Sequence, residues 1–137
     1  MNAERRLAAD FAQGRFEAYR ASLSPDFRFY PNGGLKPAGK GAFIDSQAKY
    51  RKGIRKVEQK VKLIRGTVRG KEVNVLVETT QSADALIGGK IRRVAYKVRM
   101  NDRWIKTPIG YLLVGMKPAF KGPAAGIAKN ISKSTLK

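Results

Sequence analysis

This sequence predicts a single α+β domain, with helices first and a mainly antiparallel sheet after them. Three observations carry that prediction. Apolar residues recur at helical spacing up to about residue 52 and at a spacing of two from residue 57 onward. The segments of period two are separated by glycine- and asparagine-bearing turns rather than by further helices, which favours antiparallel strands over alternating strand–helix units. The length of 137 residues fits one domain, and a hydrophobic content of 42% supplies a core for it.

Ala3 to Ala12 reads as a helix, with Leu7, Ala8 and Phe11 at helical spacing and Glu4 near the positive end of the dipole. Gly14 interrupts it. Arg15 to Ser22 reads as a second, short helix with Phe16, Tyr19 and Leu23 on one stripe. Ser24-Pro25-Asp26 stops this helix, because proline disfavours a helical residue before it, and Asp26 reads as a turn residue. Phe27-Arg28-Phe29-Tyr30 alternates as a short strand, closed by the turn Pro31-Asn32-Gly33-Gly34. A loop through Gly41 leads to a third helix, Ala42 to Arg51, presenting Phe43, Ile44, Gln47, Ala48 and Tyr50, with Gly53 in the C′ position that ends it.

Four long strands follow. Val57, Val61 and Leu63 share a face of the first, opposite Lys60 and Lys62; Gly66 to Gly70 separates it from the second, where Val73, Val75 and Val77 oppose Glu72, Asn74 and Glu78. A wide turn, Gln81 to Gly89, leads to a third strand in which Val94, Tyr96, Val98 and Met100 alternate with Arg93, Ala95, Lys97 and Arg99. Asn101-Asp102-Arg103 reads as a tight turn with Trp104 just after it. Gly110 to Met116 is apolar on both sides, as expected of a central strand or one covered on both faces. Residues 117–137 change character to a lysine-rich tail without an acidic residue, expected to be disordered in isolation, which sets the domain at 1–116.

Composition narrows the chemistry. The absence of cysteine removes disulfides, thiolate nucleophiles and ordinary zinc sites, and the absence of histidine removes the commonest general base and transition-metal ligand. No metal site and no cofactor is therefore predicted. Twenty-nine Lys and Arg against ten Asp and Glu give a net charge of +19. A surplus of that size, with a pI near 10.7, points to an anionic partner. No run reaches the ~20 apolar residues of a membrane span, and Met1 to Gly14 lacks the apolar stretch of a signal peptide, so a cytoplasmic protein is expected.

Three passages together resemble the nuclear transport factor 2-like superfamily and, within it, the SnoaL-like group. They are Asp10-Phe11-Ala12-Gln13-Gly14-Arg15-Phe16 with Leu23-Ser24-Pro25-Asp26-Phe27-Arg28-Phe29, the Gly39-Lys40-Gly41 entry to the third helix, and Val98 to Trp104 with Gly110-Tyr111-Leu112-Leu113-Val114. The resemblance covers about Glu4 to Met116. It implies a cystatin-like cone, in which helices pack in the concave face of a curved sheet and leave an apolar pocket at the open end. It also implies members that are isomerases, dehydratases, cyclases or non-catalytic binding domains, many of them dimers through the outer sheet face. The His–Asp pair of the dehydratases is missing. Where isomerase-like members carry a pocket aspartate, this chain has Tyr30-Pro31, and a phenol near pKa 10 is a poor base at neutral pH.

Two functional readings stand side by side, and the sequence alone leans toward a non-catalytic one. The first is a binding or assembly module that holds a polyanion, such as RNA or a ribonucleoprotein, or an acidic protein. Its anion-binding candidates are Lys56, Lys60, Lys62, Arg92, Arg93, Lys97 and Arg99 on the sheet, with Lys129 and Lys133 in the tail. The second is a SnoaL-like pocket protein, a cyclase, isomerase or carrier of a hydrophobic small molecule, with Tyr19, Tyr30, Asp45, Tyr50, Tyr96 and Trp104 as pocket candidates. Asp102 is assigned to hairpin chemistry, and a homodimer is left open.

Overall fold

The computed structural model describes residues 2–31 and 36–119. Three helices, α1 (Asn2–Ala12), α2 (Phe16–Ala21) and α3 (Lys40–Lys52), lie against a six-stranded sheet. Its strands are β1 (Leu23–Phe29), β2 (Ala38–Gly39), β3 (Ile54–Arg69), β4 (Glu72–Ile87), β5 (Lys90–Thr107) and β6 (Gly110–Pro118). The spatial order is β2-β1-β6-β5-β4-β3, antiparallel except for the parallel pair β1–β6. This is the α+β architecture expected from the change of period, and helices against the sheet in this way make the cone that the resemblance implies. β6 lies between β1 and β5, which explains why it is apolar on both sides.

Alternation along the strands decides which face meets the helices. Val75 and Val77 on β4, Trp104 on β5 and Leu113 on β6 are buried against Leu7 and Phe11 of α1, Tyr19 of α2, and Phe43 and Ile44 of α3. Aromatic rings run through this layer, with Phe43 5.0 Å from Phe27 and 5.2 Å from Phe29 between ring centres. Burying Phe27 completely is worth roughly 3 kcal/mol by area. Arg51 fastens one end of this layer. Its Nε and Nη2 donate to the Phe11 and Ala12 carbonyls, at 3.2 Å and 2.8 Å at the shortest, and its Nη1 donates to Ile54 O at 3.0 Å. It thereby satisfies the open C-terminal carbonyls of α1 and ties that helix to the start of β3.

The strands are longer than the turn residues suggest. β3 continues through Gly66, and the turn sits at Gly70, which takes a φ of 62°. β4 continues through the stretch read as a wide turn, Gln81 to Ile87, because β3 and β5 pair with it on both sides and override the weak strand preference of Ser82, Ala83 and Asp84. β1 begins at Leu23, four residues before the predicted start, and includes Pro25 and Asp26. Gly53 closes α3 at φ −84°, so it is not the left-handed cap that was expected.

The largest correction concerns Asn101-Asp102-Arg103. It is not a turn but the interior of β5, with Asp102 paired to Val75 on one side and Met116 on the other. The hairpin turn lies at Pro108-Ile109 instead. β6 extends to Pro118, two residues into the predicted tail, and Lys129 and Lys133 fall outside the described residues.

Replacing Arg51 with Met is expected to lower unfolding free energy by about 2 kcal/mol in urea denaturation, since several charge-assisted bonds to carbonyls are lost. Arg55→Met, at an exposed position nearby, should change it by less than about 0.5 kcal/mol. Equal effects would remove Arg51 from its capping role.

Candidate functional site

Helices and concave sheet face do not meet everywhere. A cavity of about 270 Å³ remains between them, walled by α1 and α3 and by the inward residues of β3, β4, β5 and β6. Leu7, Phe11, Phe43, Val61, Val77, Val98 and Met100 make most of its wall apolar. Two polar groups of side chains interrupt that wall, one at each end.

The acidic end is built from Glu4, Asp102 and Trp104. Alternation along β5 puts Tyr96, Val98, Met100 and Asp102 on the concave face, and Glu4 shares the inward stripe of α1 with Leu7 and Phe11. Glu4 and Asp102 are both buried, at 4% and 2% exposure. Trp104 Nε1 donates to Glu4 Oε2 at 2.6 Å, which satisfies the indole of a side chain with no exposed surface. Burial pushes the Asp102 carboxyl well above the usual carboxylate range, and the charge of Glu4 and a hydrogen bond with it push the same way. The Asp102 carboxyl therefore favours its protonated form over a wider pH range than an exposed carboxyl does. Asp102 Oδ1 is left buried without a protein partner, and Asp102 lines the cavity.

The other end is a network of amides and phenols. Gln81 Nε2 donates to Tyr50 Oη at 2.9 Å and to Tyr96 Oη at 3.1 Å, while Gln81 Oε1 accepts from Gln59 Nε2 at 2.6 Å. The two phenol oxygens are 3.0 Å apart and share one hydrogen bond. Counting protons, one phenol O–H is used between them and the other is free for a ligand. Burial, then the hydrogen bond to Tyr50, pushes the Tyr96 phenol far above its ordinary value, so it stays protonated and acts as a donor. Burial also raises Tyr19, with Asp102 and Glu4 adding to the shift. Tyr96 and Asp102 lie six residues apart on one face of β5, roughly 20 Å along an extended strand.

Of the pocket candidates, Tyr19, Tyr50 and Tyr96 line the cavity, and Trp104 stands behind it as the partner of Glu4. Two candidates need correction. Tyr30 follows the last inward residue of β1, Phe29, and is 43% exposed outside the cavity. Asp45 falls on the outer side of α3, next to the inward pair Phe43 and Ile44, and does not line the cavity. The residues that sequence reasoning missed are Glu4, Asp102, Gln59 and Gln81. A signal for three of them was present: Glu4 precedes Leu7 and Phe11 at i, i+3 and i+7, Gln59 lies between Val57 and Val61 on one strand face, and Asp102 continues the alternation from Val94 to Trp104.

The basic candidates lie apart from the cavity. Lys60, Lys62, Arg93, Lys97 and Arg99 project from the convex face, while Arg92 faces the other way, opposite Ala85. Arg93 and Arg99 are individually matched. Arg93 meets Asp84 at 3.1 Å and Glu58 at 3.3 Å and donates to Lys56 O, and Arg99 meets Glu78 at 3.0 Å. The hydrogen bond from Arg99 holds the Glu78 carboxyl below its ordinary value. Among the described residues Lys56, Lys60, Lys62 and Lys97 form no ion pair. No cluster of three or more acidic side chains that could hold a metal occurs among those residues.

No protein-family model matches this sequence, and no curated protein matches it. Solved structures do resemble it in three dimensions. A candidate dehydratase of the nuclear transport factor 2-like family from Streptomyces avermitilis is 17% identical, with a TM-score of 0.69 over 87% of this chain and 92% of that one. A nuclear transport factor 2-like protein with a cystatin-like fold from Novosphingobium aromaticivorans is 15% identical, with a TM-score of 0.62 over 95% and 84%. ActVI-ORFA from Streptomyces coelicolor is 10% identical, with a TM-score of 0.63 over 86% and 91%. Helices held in the concave face of this curved sheet, and these likenesses across nearly whole chains, give the protein the nuclear transport factor 2-like fold.

Proposed function

We propose that this protein binds an elongated, mostly apolar small molecule in the cavity and moves a proton on it, as an isomerase or cyclase of the SnoaL-like kind does. The observation that carries the reading is the buried, unpartnered Asp102 Oδ1 in an apolar cavity, beside a second carboxyl. An orphaned buried oxygen costs stability and is satisfied once a ligand donates to it. The spare phenol proton of the Tyr50–Tyr96 pair supplies the complementary group for a ligand carbonyl at the other end. The solved structure of a candidate dehydratase with the same fold supports the same direction.

The proton path follows from the pair. A proton leaving the ligand arrives on Asp102 Oδ1 while the proton that Asp102 already carries passes to Glu4. The ligand is left as an enolate or phenolate, and charge is conserved. Returning the proton to a different ligand atom completes an isomerisation. The apolar wall excludes water from the anion, and the free phenol O–H holds a polar group at the far end of the ligand, which orients the reacting end against Asp102.

The test uses 2-tetralone, a bicyclic ketone with acidic α-hydrogens, with the intact chain in deuterated buffer. Exchange of those hydrogens, followed by NMR, is expected to be faster than in buffer alone and to fall by about 100-fold in Asp102→Leu. Affinity measured at low and high salt should be nearly equal, whereas a phosphate-binding surface loses it steeply. Saturable binding with no exchange would reduce the protein to a carrier; no binding would end the pocket reading.

Asp102 also has a signature in stability. Its carboxyl keeps its proton in the fold above the pH at which the unfolded chain loses it, about 4. Stability is therefore lost as pH rises from there toward the raised value. Asp102→Asn removes this dependence, so the variant should gain on the parent progressively as pH rises above about 4 in urea denaturation. A difference that stays constant with pH would contradict the raised Asp102 carboxyl.

A further inference from the structure

The free end of the β4–β5 hairpin joins an exposed apolar apex to uncompensated positive charge. Leu86 and Ile91 are direct cross-strand partners on the convex face and are 70% and 75% exposed. Beyond them lie only the pair Ile87–Lys90 and the turn Gly88-Gly89, whose φ values of 58° and 80° make a tight hairpin turn. β3 stops opposite Ala85, and β6 pairs with β5 only from Met100 onward, so this last rung projects past its neighbours.

Around the apex stand Lys90 and Arg92 on the hairpin, Arg55 and Lys56 at the start of β3, and Lys52 at the end of α3. None of them forms an ion pair among the described residues. The two carboxylates of this region, Glu58 and Asp84, are both held by Arg93. Single-stranded nucleic acid is bound by aromatic stacking platforms, which Leu86 and Ile91 do not provide. Aliphatic side chains at an apex, with cations set just behind them, form the layout of an interfacial anchor. The aliphatic groups enter the acyl boundary while lysine and arginine stay at the phosphates.

We propose that the Leu86–Ile91 end of the hairpin docks this protein onto an anionic lipid surface. The proposal stands independently of the ligand in the cavity. Gln81 and Tyr96 lie five residues back along the two strands, roughly 17 Å from the apex, so docking brings the phenol end of the cavity close to the bilayer.

The experiment is co-sedimentation of the intact chain with vesicles of phosphatidylcholine alone and with vesicles in which phosphatidylglycerol replaces about a third of it. Binding is expected to the anionic vesicles only. Replacing Leu86 and Ile91 together with Ser leaves net charge and melting temperature unchanged and should weaken that binding about tenfold or more. The same replacement of Val68 and Ile109, exposed at the opposite end of the sheet, should leave it intact. Lys90→Gln should cost roughly five-fold at low salt. Parental binding by the Leu86/Ile91 variant would reduce the interaction to adhesion of a highly cationic chain. Loss in the Val68/Ile109 variant would put the docking end elsewhere, and retention by RNA but not by anionic vesicles would assign the surface to nucleic acid. Any of these three overturns the proposal.

Discussion

The hydrogen bond from Trp104 to Glu4 joins residues one hundred positions apart and holds the helical layer to the middle of the sheet. Each partner requires the other. A fully buried indole leaves its N–H without water, and a carboxylate in the first turn of α1 cannot be buried without donors. The helix dipole favours an acidic side chain at that turn. Asp102 is drawn into the same arrangement, because it lies two residues before Trp104 on the same strand face. The contact that orders the fold thus also creates the acidic end of the cavity.

That economy carries a cost in stability. A core composed for stability alone would fill the space beside Glu4 with an aliphatic side chain and leave no oxygen without a partner. Instead one carboxyl is pushed toward its protonated form and one of its oxygens has no protein partner. The remaining packing has to offset this, and it does so with ring-to-ring contacts from Phe11 through Phe16, Tyr19 and Phe43 to Phe27. Arg51 adds its bonds at the far end of α1, so the helix is fixed at both termini while its middle borders empty space.

How much of this was legible in the sequence depends on whether local pattern or long-range pairing decided the matter. The change of period at Gly53 located the helical and sheet halves, and the two-sided apolarity of Leu112 to Val114 marked β6 as central, because those signals are local. Strand ends were not legible. Ser82, Ala83, Asp84, Asn101 and Asp102 have turn-forming or weak strand character and became strand only because neighbours on both sides supply their hydrogen bonds. Misreading Asn101-Asp102-Arg103 as a turn hid the buried acid, although parity from Val94 onward pointed inward. Gln59 had the parity of Val57 and Val61, but the network of Gln59 and Gln81 with Tyr50 and Tyr96 exists only once β3, β4 and α3 bring them together.

The net charge of +19 separates into parts with different physical roles. Glu78 and Arg99 stand directly opposite each other on β4 and β5, as do Asp84 and Arg93, and Arg103 pairs with Glu72 nearby. A slip of the hairpin by one residue would separate these partners and turn the inward valines to solvent, so the arginines help to specify register. The planar guanidinium suits that work, because it can meet a carboxylate in a fixed geometry that a lysine does not impose. The lysines are placed differently. β3 is the edge strand of the sheet and 16 residues long, a template for unwanted pairing, and Lys56, Lys60 and Lys62 along it discourage a second strand from adding there. Register and edge protection together account for the convex-face cations without a polyanion. Neither role covers Lys90 at the tip of the β4–β5 hairpin beside Leu86 and Ile91, which lies past the end of β3 and forms no ion pair among the described residues.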